Sequence, residues 1–414
     1  MSGPAAKGWC PSLFAPMRAA DGWLVRVKPP GGVLSVAGAR CVAEAAERFG
    51  NGMIELTSRA NLQVRGLADE GIAPFAAAIV GAGLADSDPA REARRRVIHP
   101  PLAGADPGVA RLAGRIAAEV ETALAGDPTL ADLPAKFAVA VDGGGVLKLG
   151  GTGADVIVAW VDGRWLVAPA GEDGAAEVVG DEAVARLARA FLELAGQGLT
   201  EPCAARPRRM RTLVGAIGSA ALFAAAGLDP VAKMKPRAKP PAIGWLDYGG
   251  GEFGAFGLGV PFGTMSAATL AGIAAIAGEW GDGSLRLTPW RAIALPGVEA
   301  AEAPALAVRA ARLGLIADPG DPRRAVTACV GRPGCAAAAV DARADAALLV
   351  KRGLKIAVHV SGCSKGCGQA EAAPVTLVGE DGRYRIVRDG RAGDAPLARG
   401  LTMAEAIGLL EAGA

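Results

Sequence analysis

The chain has 414 residues, a formal net charge of +2 and a hydrophobic fraction of 51%. This length predicts two or three domains with cores of their own, and so small a charge gives no sign of nucleic-acid or membrane binding. The longest apolar stretch, 213–228, is interrupted by glycines and is too short to span a membrane. The first residues lack the apolar segment of a secretory signal, so we expect a cytoplasmic protein. The two histidines of the chain exclude a site built mainly from histidine.

The first segment, residues 1–80, predicts a small α+β unit with an alanine-rich helix over 37–49. Beyond that helix, polar residues alternate with Ala60, Leu62 and Val64, and alternate residues of a strand share one face. This polar face is predicted to bind a ligand, although an ordinary solvated edge strand would show the same alternation. Its four residues are Arg59, Asn61, Gln63 and Arg65.

Residues 81–200 predict a larger α/β unit, in which the apolar run 136–142 and the Asp162-Gly163 turn indicate strands. Residues 201–241 follow as a basic, proline-containing linker. Its charges, which include Arg206 and Arg208, fit either a solvated linker or a rim that attracts a polyanionic ligand.

The second half repeats the plan of the first. Residues 136–145 align with 355–364, and 50–57 align with 281–288. A second alanine-rich helix is predicted over 266–280. Such self-similarity indicates a duplicated unit. We therefore predict a second α+β unit over 242–303 and a second α/β unit over 304–414.

Four of the seven cysteines form two pairs in the last segment, spaced C-x5-C and C-x3-C, and glycines lie beside each pair. Four thiolates in loops of small residues are the ligand set of a [4Fe–4S] cluster. Zinc is the weaker alternative, because its paired cysteines are usually separated by about two to four residues, and the odd cysteine count disfavours disulfides. The predicted cluster ligands are Cys329, Cys335, Cys363 and Cys367, whereas Cys10, Cys41 and Cys203 are scattered.

These motifs resemble those of the sulfite/nitrite reductase superfamily over nearly the whole chain. The resemblance implies a mixed α+β and α/β fold with pseudo-twofold symmetry: two ferredoxin-like α+β units, each followed by a larger α/β unit. It also implies a tetrapyrrole beside the [4Fe–4S] cluster, and it adds Arg95, Arg96 and Lys136 to the residues that bind this ligand. Besides the cysteine pairs, the matching segments are Thr57-Ser-Arg59-Ala-Asn-Leu-Gln63, Arg95-Arg96-Val97 and Leu133-Pro-Ala135-Lys136-Phe137-Ala138.

The chain departs from the reductase pattern at Ala135 and Ala138, where the reductases carry cations that bind a small oxyanion. Within the superfamily, Thr288-Pro-Trp-Arg291 and His359-Val-Ser-Gly-Cys363 are similar to a branch that acts in aerobic cobalamin (vitamin B12) biosynthesis. That resemblance implies an oxidoreductase, a monooxygenase that hydroxylates C20 of precorrin-3A with O2 and closes a γ-lactone. It further implies an external electron donor and a non-haem iron besides the cluster.

Two other functions fit the same motifs. One is a sirohaem-dependent sulfite or nitrite reductase, and the other is a non-catalytic tetrapyrrole-binding or electron-transfer iron–sulfur protein. The sequence does not identify the electron donor, the catalytic residues or the iron ligands, and it leaves the roles of Cys10, His99 and His359 open.

Overall fold

A computed structural model describes residues 10–178, 182–196, 209–354 and 356–412. These residues form four sheets flanked by helices, and this mixed α+β and α/β arrangement is the fold class that the sequence predicts. Within the described ranges, no helix is both long enough and apolar enough to cross a membrane.

The first ferredoxin-like unit is an antiparallel sheet with helices on one side. Ser35 begins its long helix by accepting a hydrogen bond from the Gly38 amide at 3.0 Å, as an N-cap serine does. Gly52 has a φ of 73° and turns the chain into the next strand, a conformation that glycine adopts without strain. The elements are β1 (Met17–Ala19), β2 (Gly22–Val27), β3 (Val33–Ser35), α1 (Val36–Phe49), β4 (Met53–Leu56), β5 (Leu62–Leu67) and α2 (Ile72–Gly81).

The second ferredoxin-like unit repeats these details. Ser266 caps the long helix by accepting a hydrogen bond from the Thr269 amide at 3.0 Å, and Gly283 has a φ of 79°. Both alanine-rich helices are therefore confirmed to within one residue at their ends. The elements are β12 (Gly244–Leu246), β13 (Phe253–Gly259), β14 (Thr264–Ser266), α8 (Ala267–Trp280), β15 (Ser284–Leu287), β16 (Ala292–Glu299) and α9 (Ala303–Arg312).

The two ferredoxin-like units exchange a strand. In the first sheet β14 pairs with β4, with Thr264 opposite Glu55, and in the second sheet β3 pairs with β15, with Ser35 opposite Ser284. The units also share one hydrophobic core, to which Leu34 contributes from one copy and Leu285 from the other. Each sheet is thus completed by the other copy, which fixes the two halves of the chain against each other.

The first α/β unit has a six-stranded sheet in the order β11-β10-β9-β8-β7-β6, in which β6, β7 and β8 are parallel. Valines of β7 and β8 form its buried core with α4 and α5, as expected for parallel strands that are covered on both faces. The elements are α3 (Pro89–Arg94), β6 (Val97–Ile98), α4 (Ala113–Gly126), β7 (Val139–Asp142), β8 (Val156–Val161), β9 (Arg164–Pro169), β10 (Gly174–Glu177), α5 (Glu182–Gly196), α6 (Met210–Ile217), α7 (Ser219–Ala226) and β11 (Pro230–Lys233).

The described part of the predicted linker is folded into this unit, which corrects the prediction. Helices α6 and α7 bury apolar side chains such as Leu213 and Phe223 in the core. Basic residues of the same segment pair with buried carboxylates: Arg209 lies 2.9 Å from Asp155 and Arg237 lies 2.5 Å from Asp142. Residues 201–208, with Cys203, Arg206 and Arg208, lie outside the described residues.

The second α/β unit has the same strand directions as the first. Strands β17, β18 and β19 are parallel neighbours, and β20 and β21 are antiparallel. The Asp-Gly turns also agree, since Asp162 has a φ of 49° and Asp381 a φ of 50°, so the duplication extends to backbone conformation. The elements are β17 (Val326–Ala328), α10 (Ala342–Arg352), β18 (Val358–Ser361), β19 (Ala373–Glu380), β20 (Arg383–Gly390), β21 (Ala398–Leu401) and α11 (Met403–Glu411).

Candidate active site

The four paired cysteines lie at one edge of the last sheet. Cys329 directly follows β17, and Cys363 comes two residues after the end of β18. Because β17 and β18 are parallel neighbours, their carboxyl ends meet at the same edge and bring the C-x5-C and C-x3-C loops together. A hydrogen bond from the Cys329 amide to the Val360 carbonyl, 3.2 Å long, ties the first loop to the second strand.

The thiols influence one another electrostatically. Burial raises the pKa of Cys367, and nearby Cys363, Cys329 and Cys335 raise it further. Burial also raises the pKa of Cys329, while the amides of Gly362 and Gly331 oppose that effect. The Gly362 amide donates to Cys329 Sγ at 3.1 Å. Because burial and neighbouring thiols disfavour the ionisation of Cys329 and Cys367, positively charged metal would stabilise these two residues as thiolates.

Glycines pack closely around these sulfurs. A Cβ atom at Gly368 would lie 2.9 Å from the Cys329 amide nitrogen, and one at Gly362 would lie 3.4 Å from Cys329 Sγ and 2.7 Å from the Cβ of Ala338. No side chain fits at these places, and a backbone N–H already points at a sulfur. The ligand set and its amide donors fit a [4Fe–4S] cluster.

A single metal ion fits the described cysteines less well. All six of them are free thiols, and among the described residues no three His, Cys, Asp or Glu side chains lie close enough to hold one ion. The thiolates of a structural zinc site must converge on one point, whereas each cysteine of a four-iron cluster binds a different iron. Nor do the described residues contain a group of three such side chains for the expected non-haem iron.

His359 lies on β18 beneath the C-x3-C loop and has no exposed surface. Neither ring nitrogen has a hydrogen-bond partner among the described residues. Burial, and then the charge of Arg291, lower its pKa to about 4, so the imidazole is neutral near pH 7. Arg291 belongs to the second ferredoxin-like unit and donates from Nη2 to the carbonyl of Gly368, beside Cys367.

A cavity of about 280 Å³ opens in the first copy, and the sequence predicts part of its lining. Four of the seven predicted substrate-binding residues line it, namely Arg59, Asn61, Arg95 and Arg96. The sequence assigns no site to Arg26, Lys28 and Glu121, and it leaves the roles of Cys10 and His99 open. All five residues contribute to the lining. Five cationic side chains face one carboxylate, so the cavity suits an anion. Its volume is at the small end of ligand pockets, which suits one part of a large ligand.

Two partly buried cations of the cavity are held by backbone carbonyls. Arg59 donates from Nη1 to the carbonyl of Ala135 at 3.1 Å and from Nη2 to that of Lys136. Burial, with the charge of Arg26, lowers the pKa of Arg59 to about 10. Lys28 donates to the carbonyl of Glu92 at 2.6 Å, and burial lowers its pKa to about 8. Because burial disfavours both charges, an anionic ligand would stabilise them.

The inner wall of the cavity carries paired charges and unused donors. Arg95 bridges Glu92 at 3.0 Å and Glu121 at 3.3 Å, and His99 Nε2 lies 3.5 Å from Glu121. Burial opposes the charge of Glu121, but His99 and Arg95 outweigh it and lower the pKa of that carboxyl. The Nε atoms of Arg26 and Arg96 are buried without a hydrogen-bond partner, and a ligand carboxylate could accept from them.

The predicted polar strand face needs correction. Strand β5 begins at Leu62, so Arg59 and Asn61 belong to the preceding turn, where Ala60 has a φ of 54°. Gln63 does lie on the strand, but it donates to Glu55 at 2.7 Å and does not reach the cavity. Lys136 is exposed and also lies off the cavity.

Arg65 contacts the cysteine loop and not the cavity. It donates to both carboxylate oxygens of Asp21, at 2.9 and 2.8 Å, and to the carbonyl of Gly334 at 2.6 Å. Glu55 lies 3.6 Å from its guanidinium and also pairs with Arg343 of α10. Burial opposes the charge of Arg65, but Asp21 and Glu55 raise its pKa. The side chain therefore joins the first ferredoxin-like unit to the loop that carries Cys335.

Two of the cavity residues that the sequence does not predict, Arg26 and Lys28, lie in a recognisable sequence pattern. Arg26 and Lys28 alternate with Val27, and the structure pairs Arg26 with Gln63 across β2 and β5. The alternation was visible in the sequence, whereas the pairing of the two strands was not. Glu121 lies on α4 and has no local pattern that marks it.

Comparisons with known proteins agree with this architecture. A family model for the nitrite/sulfite reductase ferredoxin-like half domain matches residues 15–81 and 248–312. A ferredoxin–nitrite reductase of Synechococcus elongatus is 24% identical, over 89% of this chain and 78% of that protein. The solved structure of the Mycobacterium tuberculosis NirA protein superposes with a TM-score of 0.70 at 21% identity, covering 92% of this chain and 78% of that one, which supports the fold alone.

A precorrin-3B synthase of a Sinorhizobium species is more similar in sequence. It is 34% identical over 405 residues, which cover 95% of this chain and 85% of that protein. This similarity extends through both copies and includes the segments that carry the cysteines and the cavity. The chain therefore belongs to the precorrin-3B synthase family, within the nitrite and sulfite reductase superfamily.

Proposed function

We propose that this chain hydroxylates precorrin-3A at C20 with O2 and closes the acetate arm of ring A to a γ-lactone, giving precorrin-3B. The observation that carries the proposal is the 34% identity to a precorrin-3B synthase over 95% of the chain. One atom of O2 enters the product and the other leaves as water, so the reaction consumes two electrons and two protons from an external donor. It is an oxidation by a monooxygenase and not the reduction of an oxyanion.

The cavity in the first copy is the proposed binding site for the carboxylate arms of the substrate. Its cations would pair with carboxylates, which guanidinium groups bind in a bidentate way. Arg59, Asn61, Arg95 and Arg96 keep the role that the sequence predicts, and Arg26 and Lys28 join them. Gln63, Arg65 and Lys136 lie off the cavity, so we assign them no contact with substrate.

The cavity wall also favours this substrate over a small oxyanion. Ala135 lines the cavity where the reductase pattern has a cation. Ala138 is buried immediately before β7, and its amide donates to Asp155 at 3.1 Å. A smaller side chain at Ala135 leaves room for a macrocycle edge and removes one charge that a small anion would need.

Cys329, Cys335, Cys363 and Cys367 are the proposed ligands of a [4Fe–4S] cluster. When bound, such a cluster transfers single electrons. The chain itself supplies the Gly362 amide as a donor to Cys329 Sγ, and it keeps the loops free of side chains at Gly362 and Gly368. Arg65 would hold the Cys335 loop in place from the first copy.

Isotope labelling tests the proposal directly. Cluster-loaded protein is incubated with precorrin-3A, 18O2 and a chemical electron donor, and the expected product is heavier by one 18O atom. Unmodified precorrin-3A recovered from protein with an intact, reducible cluster would contradict the proposal. Binding without turnover would instead support the non-catalytic alternative. Sirohaem absorption together with reduction of nitrite or sulfite would support the reductase.

A further inference from the structure

His359 is a buried polar side chain that the reaction described above does not use. Its neighbours on β18, Val358 and Val360, belong to the core on one side of the sheet. Since side chains alternate along a strand, the imidazole projects to the other side. There a Cβ at Gly368 would lie 2.9 Å from its Nε2 atom, and one at Gly366 would lie 3.8 Å from its Cε1 atom. The ring thus lies against the loop that ends at Cys367.

The space beside Gly368 also borders the C-x5-C loop. The Cβ atom that would meet His359 Nε2 at Gly368 would also lie 2.9 Å from the amide nitrogen of Cys329. The ring nitrogen and the start of the C-x5-C loop therefore face the same small space. His359 thus lies close to the end of the C-x3-C loop and to the start of the C-x5-C loop.

Among the described residues, none forms a hydrogen bond with the imidazole ring of His359. The side chain has 0% exposure and both ring nitrogens lack a partner. Thr376, its partner in the neighbouring strand, donates its hydroxyl to the Gly390 carbonyl at 2.9 Å. Arg291 uses Nη2 on the Gly368 carbonyl. A buried polar group without a partner is costly and rare, so a hydrogen-bond acceptor in this space would account for a buried histidine at this position.

We propose that His359 donates an imidazole N–H to a sulfur of the iron–sulfur cluster and thereby raises the reduction potential of the cluster. The inference rests on the proposed cluster. A hydrogen bond to sulfur stabilises the reduced state, which carries one more negative charge, and such bonds are among the factors that set cluster potentials. His359 is then a positioning residue that tunes electron transfer, and it is not a ligand, because four cysteines complete the set.

The presence of two histidines in the chain makes a spectroscopic test specific. Protein grown with [15N]histidine is reduced anaerobically, and pulsed EPR detects nitrogen nuclei coupled to the cluster spin. We expect one weakly coupled 15N nucleus that persists in His99→Asn and disappears in His359→Leu. A cluster-loaded His99→Asn sample without 15N coupling would overturn the inference, and this outcome does not depend on whether His359→Leu folds.

The reduction potential gives a second, independent readout. His359→Leu removes the donor and should lower the midpoint potential at unchanged iron and sulfide content, whereas His359→Gln retains an N–H and should stay closer to the parent value. Thr376→Val, on the neighbouring strand, should leave the potential unchanged. Equal potentials for His359→Leu and the parent would also overturn the inference. A protein that assembles no reducible cluster would contradict the proposed function itself, whereas a cluster without histidine coupling contradicts the inference alone.

Discussion

Arg65 reaches from the first copy of the duplicated fold to the second, where its Nη2 atom donates to the carbonyl of Gly334 at 2.6 Å. Gly334 precedes Cys335, so a side chain on β5 supports the loop that carries a proposed cluster ligand. The same guanidinium binds Asp21 and lies near Glu55. Strand β5 begins next to the proposed substrate cavity, and this contact joins it to the proposed redox centre.

Replacement of Arg65 by methionine should destabilise the protein and loosen the cluster. Arg65 is 4% exposed, and its loss leaves the Asp21 carboxylate without the guanidinium that binds both of its oxygens. Glu55 then keeps Arg343 as its cation. Breaking such a pair costs about 3 kcal/mol of unfolding free energy, measurable by denaturant titration. The cluster should also be lost faster in the presence of a chelator.

Arg115→Ala is the matched control, because Arg115 pairs with Glu119 on the surface of α4. Exposed pairs of this kind contribute little, so we expect no measurable change in stability or cluster loss. Equal stability of Arg65→Met and Arg115→Ala would show that Arg65 does not hold the two copies together.

Cys363→Ser should abolish cluster binding and turnover together. The serine retains size and polarity but lacks the thiolate that binds iron. Iron and acid-labile sulfide analysis of anaerobically purified protein measures the effect. Cys41→Ser is the control, since the Cys41 thiol interacts with the carbonyl of Ala78 at 3.7 Å on the helical side of the first unit. Full turnover by Cys363→Ser would refute the ligand assignment.

Arg59→Ala should weaken substrate binding much more than Lys136→Ala. The sequence assigns both residues to the substrate, but the structure places Arg59 in the cavity and Lys136 on the surface. A hydrogen bond to a charged group contributes about 1.5–3 kcal/mol, so the dissociation constant should rise by about tenfold to a hundredfold. Titration of tetrapyrrole absorption measures it.

The unfolding free energy of both variants must be measured as well, because Arg59 also binds the carbonyls of Ala135 and Lys136. A loss of stability in Arg59→Ala with unchanged affinity in the folded fraction would assign Arg59 a purely structural role.

Substrate affinity should fall as the pH rises through about 8. Burial lowers the pKa of Lys28 to about 8 against the opposing charge of Glu92, and Arg95, Arg26 and Arg96 lower it further. Above that pH the ammonium loses its charge and its attraction for a carboxylate. Binding measured from pH 7 to 9.5 should weaken in the parent protein, and Lys28→Met should bind weakly with a flatter profile.

The stability of the protein should respond to Lys28 in the opposite direction. The folded-state pKa lies below the value of 10.5 expected in the unfolded chain, so between these two values the unfolded state binds more protons. The contribution of Lys28 to stability therefore rises with pH across this window.

Substrate affinity that is independent of pH in the parent protein would show that Lys28 stays charged or does not touch the ligand.

The sequence predicts the fold and the meeting of the two cysteine loops better than it predicts the cavity. The duplication is readable because turns such as Asp162-Gly163 and Asp381-Gly382 require the same residues at the same places. The lining of the cavity depends on which strands pair and on which polar side chains already bind other residues of the protein. Arg65 has the same alternation as Gln63 in sequence, yet the ion pair with Asp21 withdraws it from the ligand. Contacts between distant segments of this kind leave no local pattern.

The strand exchange between the copies predicts that neither half folds alone. Strand β3 completes the sheet of the second copy, and β14 completes that of the first. A fragment of residues 1–240 would therefore expose the unpaired edge of β4 and the shared apolar core. Expressed alone it should be insoluble or unfold without cooperativity, whereas co-expression with 241–414 should give a complex that purifies as one species.

A charge placed in the exchanged strand tests whether the exchange causes this association. Leu34 is fully buried on β3, whereas Val231 on β11 is 53% exposed. Leu34→Asp buries an unpaired carboxylate, which is strongly unfavourable, and should prevent the fragments from copurifying. Val231→Asp makes the same chemical change at the surface and should not. Cooperative unfolding of fragment 1–240 as a monomer would contradict this prediction. It would show that the first copy folds without β14 and without a sheet on which β3 can pair.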